Sequence, residues 1–560
     1  MRTLLASLGD YSMAMLRGIA ELRGVMPATN VREEVAAQLA GALAEPHATA
    51  LALSGVSAEA ERAWAALCAA GGRIKVPAFT REHGAIRAIG PGRLEREFAW
   101  RQPETPAEEL WYQGLIFKAF ADLGAGLLEY FYIPEELLPT TAAGEETGPA
   151  RAGAPPALDP PARARQSGNA LAVDACALLA ILTDSPLRVG ESGRWRAADE
   201  AHIRERLLLP DPTRSALLLA LAQQSGWLAV EQDRLVVQGP AVTAWLRASH
   251  WEQASALFSA WQHSATWNDL RHIPTLKADG TWRNDPLAAR SQLLAALGRL
   301  DPARWYSVDA FAAWIKATEP DFQRPDGNYT GWYLRDVASE RYLSGFEAWN
   351  DVEGRLIAFL IAGPLFWLGA LSLGGEDGEP GIFRLTTGGA YWLAGGGLPE
   401  PFPPARLLVN EDFTVGAPLL VPLFDRFRLL RFTEAVPGPP ALDQPTQHRI
   451  TRHSLSAARA RGLRGEKIVQ FLRHAAGGQL PARVETALLR WDQHGGAVRI
   501  NKGAVLRVQD ASILAALRAD PVIAPLLGEL LSAQAALVKE ADLPKLLAAL
   551  AELGYTTRVE

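Results

Sequence analysis

Residues 461–491, RGLRGEKIVQFLRHAAGGQLPARVETALLRW, contain two stretches of helical periodicity that are separated by glycine. Apolar residues recur every three or four positions in each stretch, which is typical of helices with one buried face. The preceding residues predict a further helix, which Ser454 is expected to cap and Gly462 to end. The sequence therefore predicts three consecutive helices around a common core that includes Ile468, Phe471, Leu472, Val484, Ala487, Leu488 and Trp491.

The segment that follows, AVRINKGAVLRV at 497–508, predicts a β-hairpin. Its two apolar stretches, 497–500 and 505–508, flank Asn-Lys-Gly, whose residues suit a tight turn. Three helices followed by a hairpin make up the winged-helix arrangement. In that arrangement the third helix can enter a DNA groove while the wing touches phosphate. We therefore predict a basic winged helix at 454–508.

The third predicted helix is basic on the side opposite its apolar residues, although Glu485 and Asp492 interrupt this side. Basic side chains neutralise phosphates, so we expect nucleic acid to bind here. A solvated or protein-contacting surface is the alternative, because a basic patch alone identifies no partner. The six predicted contact residues of the helix and the wing are Arg483, Thr486, Arg490, Arg499, Lys502 and Arg507.

The charge of the chain is unevenly distributed. Its 560 residues carry a net charge of −6, which argues against a protein that coats nucleic acid over its whole surface. Between residues 401 and 509, however, 16 Lys/Arg face 8 Asp/Glu, a local charge of +8, so the remainder carries −14. A basic region in an acidic chain indicates one anionic contact face or a solvated surface.

Composition also predicts the domain organisation. Residues 139–168 hold six prolines, one leucine and no aromatic residue, so we predict a disordered linker. The rest predicts a mainly helical α+β fold with small β-hairpins, divided into about four domains. These are a helical or winged-helix domain at 1–138, a winged-helix and helical module at 169–300, a tryptophan-rich winged-helix module at 301–398, and a carboxyl-terminal domain at 399–560.

Twelve of the 17 tryptophans lie between Trp227 and Trp392. Two segments there, 227–246 and 367–393, share one order: Trp-Leu, a strand, a polar turn, Arg-Leu with a strand, and a closing Trp-Leu. This order indicates a repeated structural unit. We interpret the tryptophans as core residues, with stacking on single-stranded nucleic acid as the alternative.

One apolar stretch, LIAFLIAGPLFWLGALSL at 356–373, has the length of a candidate membrane span. Gly363-Pro364 breaks it, so we predict a buried helix, a turn and a core strand. Asp10 lies where a signal peptide would have its apolar core. Cys68 and Cys176 alone form no disulfide framework or cysteine-rich zinc site. We expect a cytoplasmic protein that binds no membrane and no metal.

Motifs of the common enzyme classes are absent from the sequence. The phosphate loop GxxxxGK[ST] does not occur, and neither does any Gly-Lys dipeptide, GxSxG, HExxH or GxGxxG. Residues 199–202 do spell DEAH, the acidic box of one helicase class. The flanking residues predict a helix, and we interpret Asp199 and Glu200 as acids of its first turn. A catalytic carboxylate would instead follow a buried strand downstream of a phosphate loop.

Scattered acids and histidines offer a weaker candidate for a catalytic site. Asp269, Asp285 and Asp321 lie near His263 and His272 in the sequence. No spacing forces these side chains together, so we interpret them as caps, turn residues and salt-bridge partners. We therefore expect no enzymatic activity, no cofactor and no small-molecule substrate.

Segments between Arg406 and Tyr555 resemble a known family. They are LLVNEDFTVGAPLL, FRLLRFTEAV, HRITRHSLSAARARGLRGEKIVQFL, LPARVETALLRW and LPKLLAALAELGY. Together they resemble the helicase-associated domain that is shared with the amino-terminal region of XPB-type repair helicases. WNDLRHIPTL and PDFQRPDGNYTGWYLR are similar to bacterial stand-alone members, which lack the motor. The resemblance implies winged-helix modules, an XPB-amino-terminal-like domain at 399–560, and a role in DNA binding or docking.

Two functions follow as expectations. The first is a non-catalytic DNA-binding protein, of use in DNA repair or transcription, that contacts DNA through its basic carboxyl-terminal domain. The alternative is a protein-docking scaffold or accessory subunit that binds a helicase, nuclease or transcription factor, with the basic face incidental.

Overall fold

A computed structural model of the chain describes residues 2–45, 47–122, 127–139, 154–188, 197–375, 381–397, 403–438, 442, 444–494 and 503–558. Helices dominate, and the strands form several small sheets, so the fold is a multi-domain α+β fold. The chain divides into two compact units. The large unit contains Met1–Leu408 and Val415–Arg449, and the small unit contains Val409–Thr414 and Ile450–Glu560.

The amino-terminal part of the large unit has its own hydrophobic core, which runs from Leu4 to Leu137. Its helices are Leu4–Gly9, Met13–Leu22, Arg32–Leu43, Ala48–Leu53, Ala58–Ala69, Val76–His83, Pro91–Glu97 and Pro106–Tyr112. Its three-stranded antiparallel sheet has the spatial order Arg73–Lys75, Leu127–Tyr132, Phe117–Asp122.

The central part of the large unit is built on a second hydrophobic core, which runs from Leu171 to Leu423 and crosses the predicted boundary at 300/301. Its α-helices are Ala170–Asp184, Ala197–Arg204, Pro212–Gln224, Gly239–Arg247, His250–Gln262, Pro286–Leu297, Val308–Thr318, Arg355–Leu360, Thr387–Ala394 and Leu423–Leu430. Its strands include Leu228–Glu231, Arg234–Val237, Trp305–Ser307, Leu371–Gly374 and Ile382–Leu385. Three further strands form a small sheet: Leu276–Ala278, Leu334–Asp336 and Tyr342–Leu343.

Part of the predicted linker takes part in this central fold. Residues 140–153 lie outside the described residues. Two short strands follow, Ala157–Leu158 and Ala164–Arg165, and they form the two edges of a five-stranded sheet. The first pairs with Trp305–Ser307 and the second with Leu371–Gly374.

The tryptophans of the central part belong to its core, as predicted. Trp227, Trp245, Trp261, Trp267, Trp305 and Trp349 are buried, and others pack against them while partly exposed. Both Trp-Leu repeats form a hairpin followed by a helix, which confirms the repeated unit. The indoles bury a large apolar area and hold helices against hairpins.

The apolar stretch at 356–373 is helical, then turns into a strand whose four residues are all buried, Leu371–Gly374. The predicted break at Gly363-Pro364 is a kink, because helical structure continues to Leu365 despite the non-helical backbone of Gly363. A proline removes one backbone hydrogen bond, which explains the kink. Among the described residues, no helix has both the length and the apolar character needed to cross a membrane.

Three segments of the large unit each begin with a helix and a short strand or bridge, continue with further helices, and end in a hairpin. Two α-helices precede the hairpin in the second segment and three in the first, whereas the third segment has two extra strands, Leu334–Asp336 and Tyr342–Leu343, between its two α-helices. In the first segment Arg73–Lys75 pairs with the second hairpin strand. In the third, Trp305–Ser307 pairs in the same way with Ile382–Leu385. In the second, the equivalent contact is a single bridge between Arg188 and Arg234. The three segments span 58–132, 170–237 and 286–385.

The small unit contains the predicted helical triplet and a sheet beyond it. Its helices are Arg452–Ala460, Gly465–Ala475, Ala482–His494, Ala511–Ala519 and Leu543–Glu552. Its three-stranded sheet has the order Gly503–Arg507, Ala535–Lys539, Leu527–Ser532. Ser454 was the wrong choice of helix cap: Thr451 is the cap, and Ser454, three residues later, completes a reciprocal pair of hydrogen bonds with it.

Candidate nucleic-acid interface

The helix Ala482–His494 carries the candidate interface, and its buried side fixes its orientation. Val484 and Leu488 are fully buried, as predicted, and the helix packs against Gly465–Ala475. Ala487 and Trp491 are only half-buried. The periodic spacing of these four residues places their side chains on one side, so the intervening polar residues face outward.

Three of the six predicted contact residues lie together on the outward side of this helix. Arg483, Thr486 and Arg490 are all exposed. Their spacing of three and four residues places them in one row along the helix. Two turns separate the two arginines, a rise of about 10 Å along the axis. The row therefore presents two cations and a hydroxyl group to solvent.

The acids that interrupt the row in sequence do not cancel its charge. Glu485 accepts a hydrogen bond from Arg473, with a 2.5 Å distance between Nη2 and Oε1. Asp492 lies half-buried beside Gly465, where an added Cβ would come within 2.6 Å of the Asp492 Cβ. One acid is therefore matched by its own cation, and the other is on the packing side of the helix.

A row of alternating cations and aromatic rings extends this surface. The guanidinium of Arg452 lies 5.7 Å from the ring centre of Trp491, which stacks on Phe413 at 5.1 Å and 27°. Arg483 lies 5.9 Å from the ring of Phe413 on the same row. The aromatic pair thus holds two exposed arginines in place, and cation–π contacts of this kind contribute about 0.5–1 kcal/mol each at exposed sites.

Phe413 takes a backbone conformation that is rare for a bulky residue, with φ of +67°. Its carbonyl accepts a hydrogen bond from the Ile450 N–H at 2.9 Å, and its own N–H donates to the Asn410 carbonyl at 3.2 Å. These bonds and the stack on Trp491 offset the cost of that conformation. Sequence reasoning did not find Arg452 or Phe413 because each lies far along the chain from Trp491.

The remaining predicted contact residues belong to the wing. Arg499 and Lys502 lie outside the described residues, as does the first predicted wing strand, 497–500. Arg507 is exposed on the strand Gly503–Arg507, which pairs with Ala535–Lys539. The hydrogen bonds and ion pairs of the described residues do not join Arg507 to the helix of Arg483. The wing therefore stays a prediction.

The acid–histidine candidates have structural roles. Asp285 caps the helix Pro286–Leu297. Asp269 is buried and paired with Arg290. Asp321 accepts hydrogen bonds from Arg81 and from Tyr329, whose pKa is raised by burial and then by the nearby Asp321 charge. No cluster of three metal-ligating side chains occurs within the part of the chain that the structure describes.

The DEAH residues at 199–202 lie within the helix Ala197–Arg204, with Asp199 and Glu200 in its first turn, as predicted. Glu200 also lies 3.8 Å from the Arg204 guanidinium, one turn further along the helix. Acids at this position stabilise a helix through its dipole. The residues that spell DEAH therefore lie at the start of an ordinary helix.

Comparison with protein families places the candidate interface in a helicase-related region. Residues 407–532 match the family described as the helicase conserved C-terminal domain. The match covers less than a quarter of the chain and includes the helix Ala482–His494 and the aromatic row. It supports a helicase-related protein. No curated protein matches the chain at a significant level.

Proposed function

We propose that the protein is a non-catalytic DNA-binding protein built of winged-helix modules, related to the helicase-associated domain of XPB-type repair helicases. The observation that carries the proposal is the outward row of Arg483, Thr486 and Arg490 on one helix of the helicase-related region. Exposed cations at this spacing suit contacts to successive phosphates, which provide most of the affinity for DNA. Arg452, held at the far end of the aromatic row, adds a third cation.

The modular part of the proposal is supported by one strand pairing that recurs in three segments of the large unit. The order of elements in a winged helix is a helix, a short strand, two helices and a hairpin. The short strand pairs with the second strand of the hairpin. Residues 170–237 follow this order with a single bridge in place of the short strand. Residues 58–132 follow it with one extra α-helix, and residues 286–385 follow it with two extra strands. The shared pairing favours a chain assembled from related binding modules. Such modules present surfaces for other macromolecules.

The absence of a motor from these 560 residues is supported by the sequence. Nucleotide hydrolysis by a helicase needs a phosphate loop, and no Gly-Lys dipeptide exists here from which to build one. The proposed role is therefore to bind DNA, or to position a separate motor on it. Stimulated ATP turnover by the purified protein, in the presence of DNA, would refute this part of the proposal.

The proposal is tested by the salt dependence of duplex DNA binding, measured by fluorescence anisotropy. Each lost phosphate contact should reduce the slope of log K against log salt by about 0.9. The double variant Arg483→Gln/Arg490→Gln is therefore expected to lower the slope by about 2. A matched control, Arg62→Gln/Arg93→Gln, removes two exposed arginines of the amino-terminal part and should leave the slope unchanged.

A second candidate function, protein docking, is favoured by a different observation. Five large apolar side chains in the last part of the small unit are at least 43% exposed: Val505, Val522, Leu530, Leu531 and Leu553. Large exposed apolar side chains are frequent at protein contact surfaces. Co-purification from cells with and without nuclease separates the two candidates. A partner that survives nuclease treatment would favour docking.

A further inference from the structure

A cavity of about 530 Å³ lies within the large unit, and none of its lining residues belongs to the candidate interface. Its walls come from the residues before the helix Ala170–Asp184, the start of His250–Gln262, the start of Thr387–Ala394, and the segment 418–420. The last of these belongs to the helicase-related region. The volume is in the range of small-molecule sites, which extends from about 300 to 1,000 Å³.

Two indoles form the aromatic part of the cavity wall. The rings of Trp251 and Trp392 meet edge to face, with centres 6.3 Å apart and an angle of 75°. Trp392 is held in place by Phe258, stacked at 4.6 Å, and by the hydrogen bond that its Nε1 donates to Ser255 Oγ at 3.0 Å. At Gly388, which also lines the cavity, a Cβ would lie 2.8 Å from Trp251. Glycine therefore keeps this indole in its position.

The polar groups of the cavity include a chain of hydrogen bonds from Asn169 through His250 to the Leu420 carbonyl. Asn169 Nδ2 donates to His250 Nδ1 at 3.1 Å, so the proton of the imidazole is on Nε2, which donates to the Leu420 carbonyl at 3.1 Å. The Asn169 side-chain oxygen stays available as an acceptor. Gln166 and Gln444 contribute two further amides. None of the described residues that line the cavity is Asp, Glu, Lys or Arg.

We propose that this cavity binds an uncharged, flat heteroaromatic molecule of about the size of a nucleoside. Indoles stack on flat rings, and amides pair with ring nitrogens and carbonyl groups. A phosphorylated ligand is disfavoured because none of the described residues that line the cavity is Lys or Arg, and an uncompensated charge is costly to desolvate. The cavity shares no residue with the proposed DNA interface. The proposal of a ligand site therefore does not depend on whether the protein binds DNA.

Adenosine is the first probe, with binding followed by quenching of tryptophan fluorescence and by saturation-transfer NMR. Ala254 lines the cavity, so Ala254→Trp should fill it and weaken adenosine binding at least tenfold. Ser259→Trp, on the exposed side of the same helix, adds the same indole outside the cavity and should leave affinity unchanged. Adenosine 5′-monophosphate should bind at least tenfold more weakly than adenosine.

A second variant keeps the test decisive if Ala254→Trp does not fold. Asn169→Leu removes both the amide N–H that donates to His250 and the side-chain oxygen that is offered to the ligand, and circular dichroism reports whether the fold is retained. It should also weaken adenosine binding at least tenfold. The proposal is overturned if adenosine, guanosine and riboflavin all fail to bind at millimolar concentration. It is equally overturned if binding persists in both cavity variants, or if the monophosphate binds as tightly as adenosine.

Discussion

Replacement of Arg290 by methionine is expected to destabilise the large unit strongly, because Arg290 organises the centre of its second core. The side chain is 1% exposed. Its Nε and Nη2 donate to Asp269 Oδ2 at 3.0 and 2.7 Å. It also donates to the carbonyl oxygens of Trp261, Ser264 and Trp267 at 2.6, 3.0 and 2.9 Å. A longer hydrogen bond to the Gln262 carbonyl oxygen, at 3.3 Å, brings the acceptors of this one guanidinium to five.

The expected loss in the free energy of unfolding follows from the hydrogen bonds that Asp269 keeps after the substitution. Asp269 would stay buried with only two donors, the indole N–H groups of Trp261 and Trp267 at 3.1 and 2.8 Å. Removal of one partner from a buried ion pair costs about 3–5 kcal/mol. We expect about 4 kcal/mol, since the two indoles compensate part of the loss. For the central part, which spans about 260 residues from Ala170 to Leu430, an unfolding entropy of about 2.1 cal/mol/K per residue converts this cost into a fall in Tm of about 7 °C.

The assay is urea denaturation followed by tryptophan fluorescence, because the indoles of Trp261 and Trp267 contact the altered site. Arg299→Met is the matched control: its ion pair with Glu319 is partly exposed, so the cost should stay below about 1 kcal/mol. Asp269→Leu combined with Arg290→Met should recover part of the loss, since no charge is then left unpaired. Equal destabilisation by Arg290→Met and Arg299→Met would refute the reasoning.

Three further predictions address backbone packing, pH and the aromatic row. Gly389→Ala should destabilise the protein by about 1–3 kcal/mol, because the added Cβ would lie 2.0 Å from the Ala370 carbonyl oxygen. Gly41→Ala, on a helix with open space around this position, should stabilise it by about 0.5–1 kcal/mol. Thermal unfolding measures both changes. Burial, aided by the Arg426 charge, lowers the pKa of His448 from 6.5 to about 3, so between these values only the unfolded chain binds this proton. Stability should therefore fall as the pH drops from 6.5 towards 3, and His448→Gln should flatten that dependence in denaturation series. Arg452→Gln should reduce the salt slope of DNA binding by about 0.9, and no change would exclude Arg452 from the interface.

Local sequence patterns predicted much of the helical structure and part of the candidate interface. The buried positions Val484 and Leu488 follow directly from helical periodicity, and the outward row of Arg483, Thr486 and Arg490 follows from the same period. Periodicity within one helix depends on neighbouring residues alone. The sequence therefore contains what is needed to predict which side of that helix is exposed.

Contacts between distant residues could not be predicted in this way. The stack of Phe413 on Trp491 joins residues separated by 78 positions, and nothing in either local pattern indicates the other. The sheet that pairs Gly503–Arg507 with Ala535–Lys539 was also missed, because the short strand pattern at 535–539 does not identify its partner. Similarly, Thr451 and Ser454 are both good helix caps, and only the backbone conformation distinguishes them.

The central claim is that the outward side of the helix Ala482–His494 lies against DNA. The most direct measurement places a photoreactive benzophenone amino acid at Thr486, which is exposed between the two arginines, and identifies what crosslinks to it in cells. The same amino acid at Ser259, exposed on a helix of the large unit, is the control. We predict an adduct at position 486 that is shortened by nuclease and absent at position 259. An adduct at 486 that resists nuclease and contains a second protein would contradict the claim.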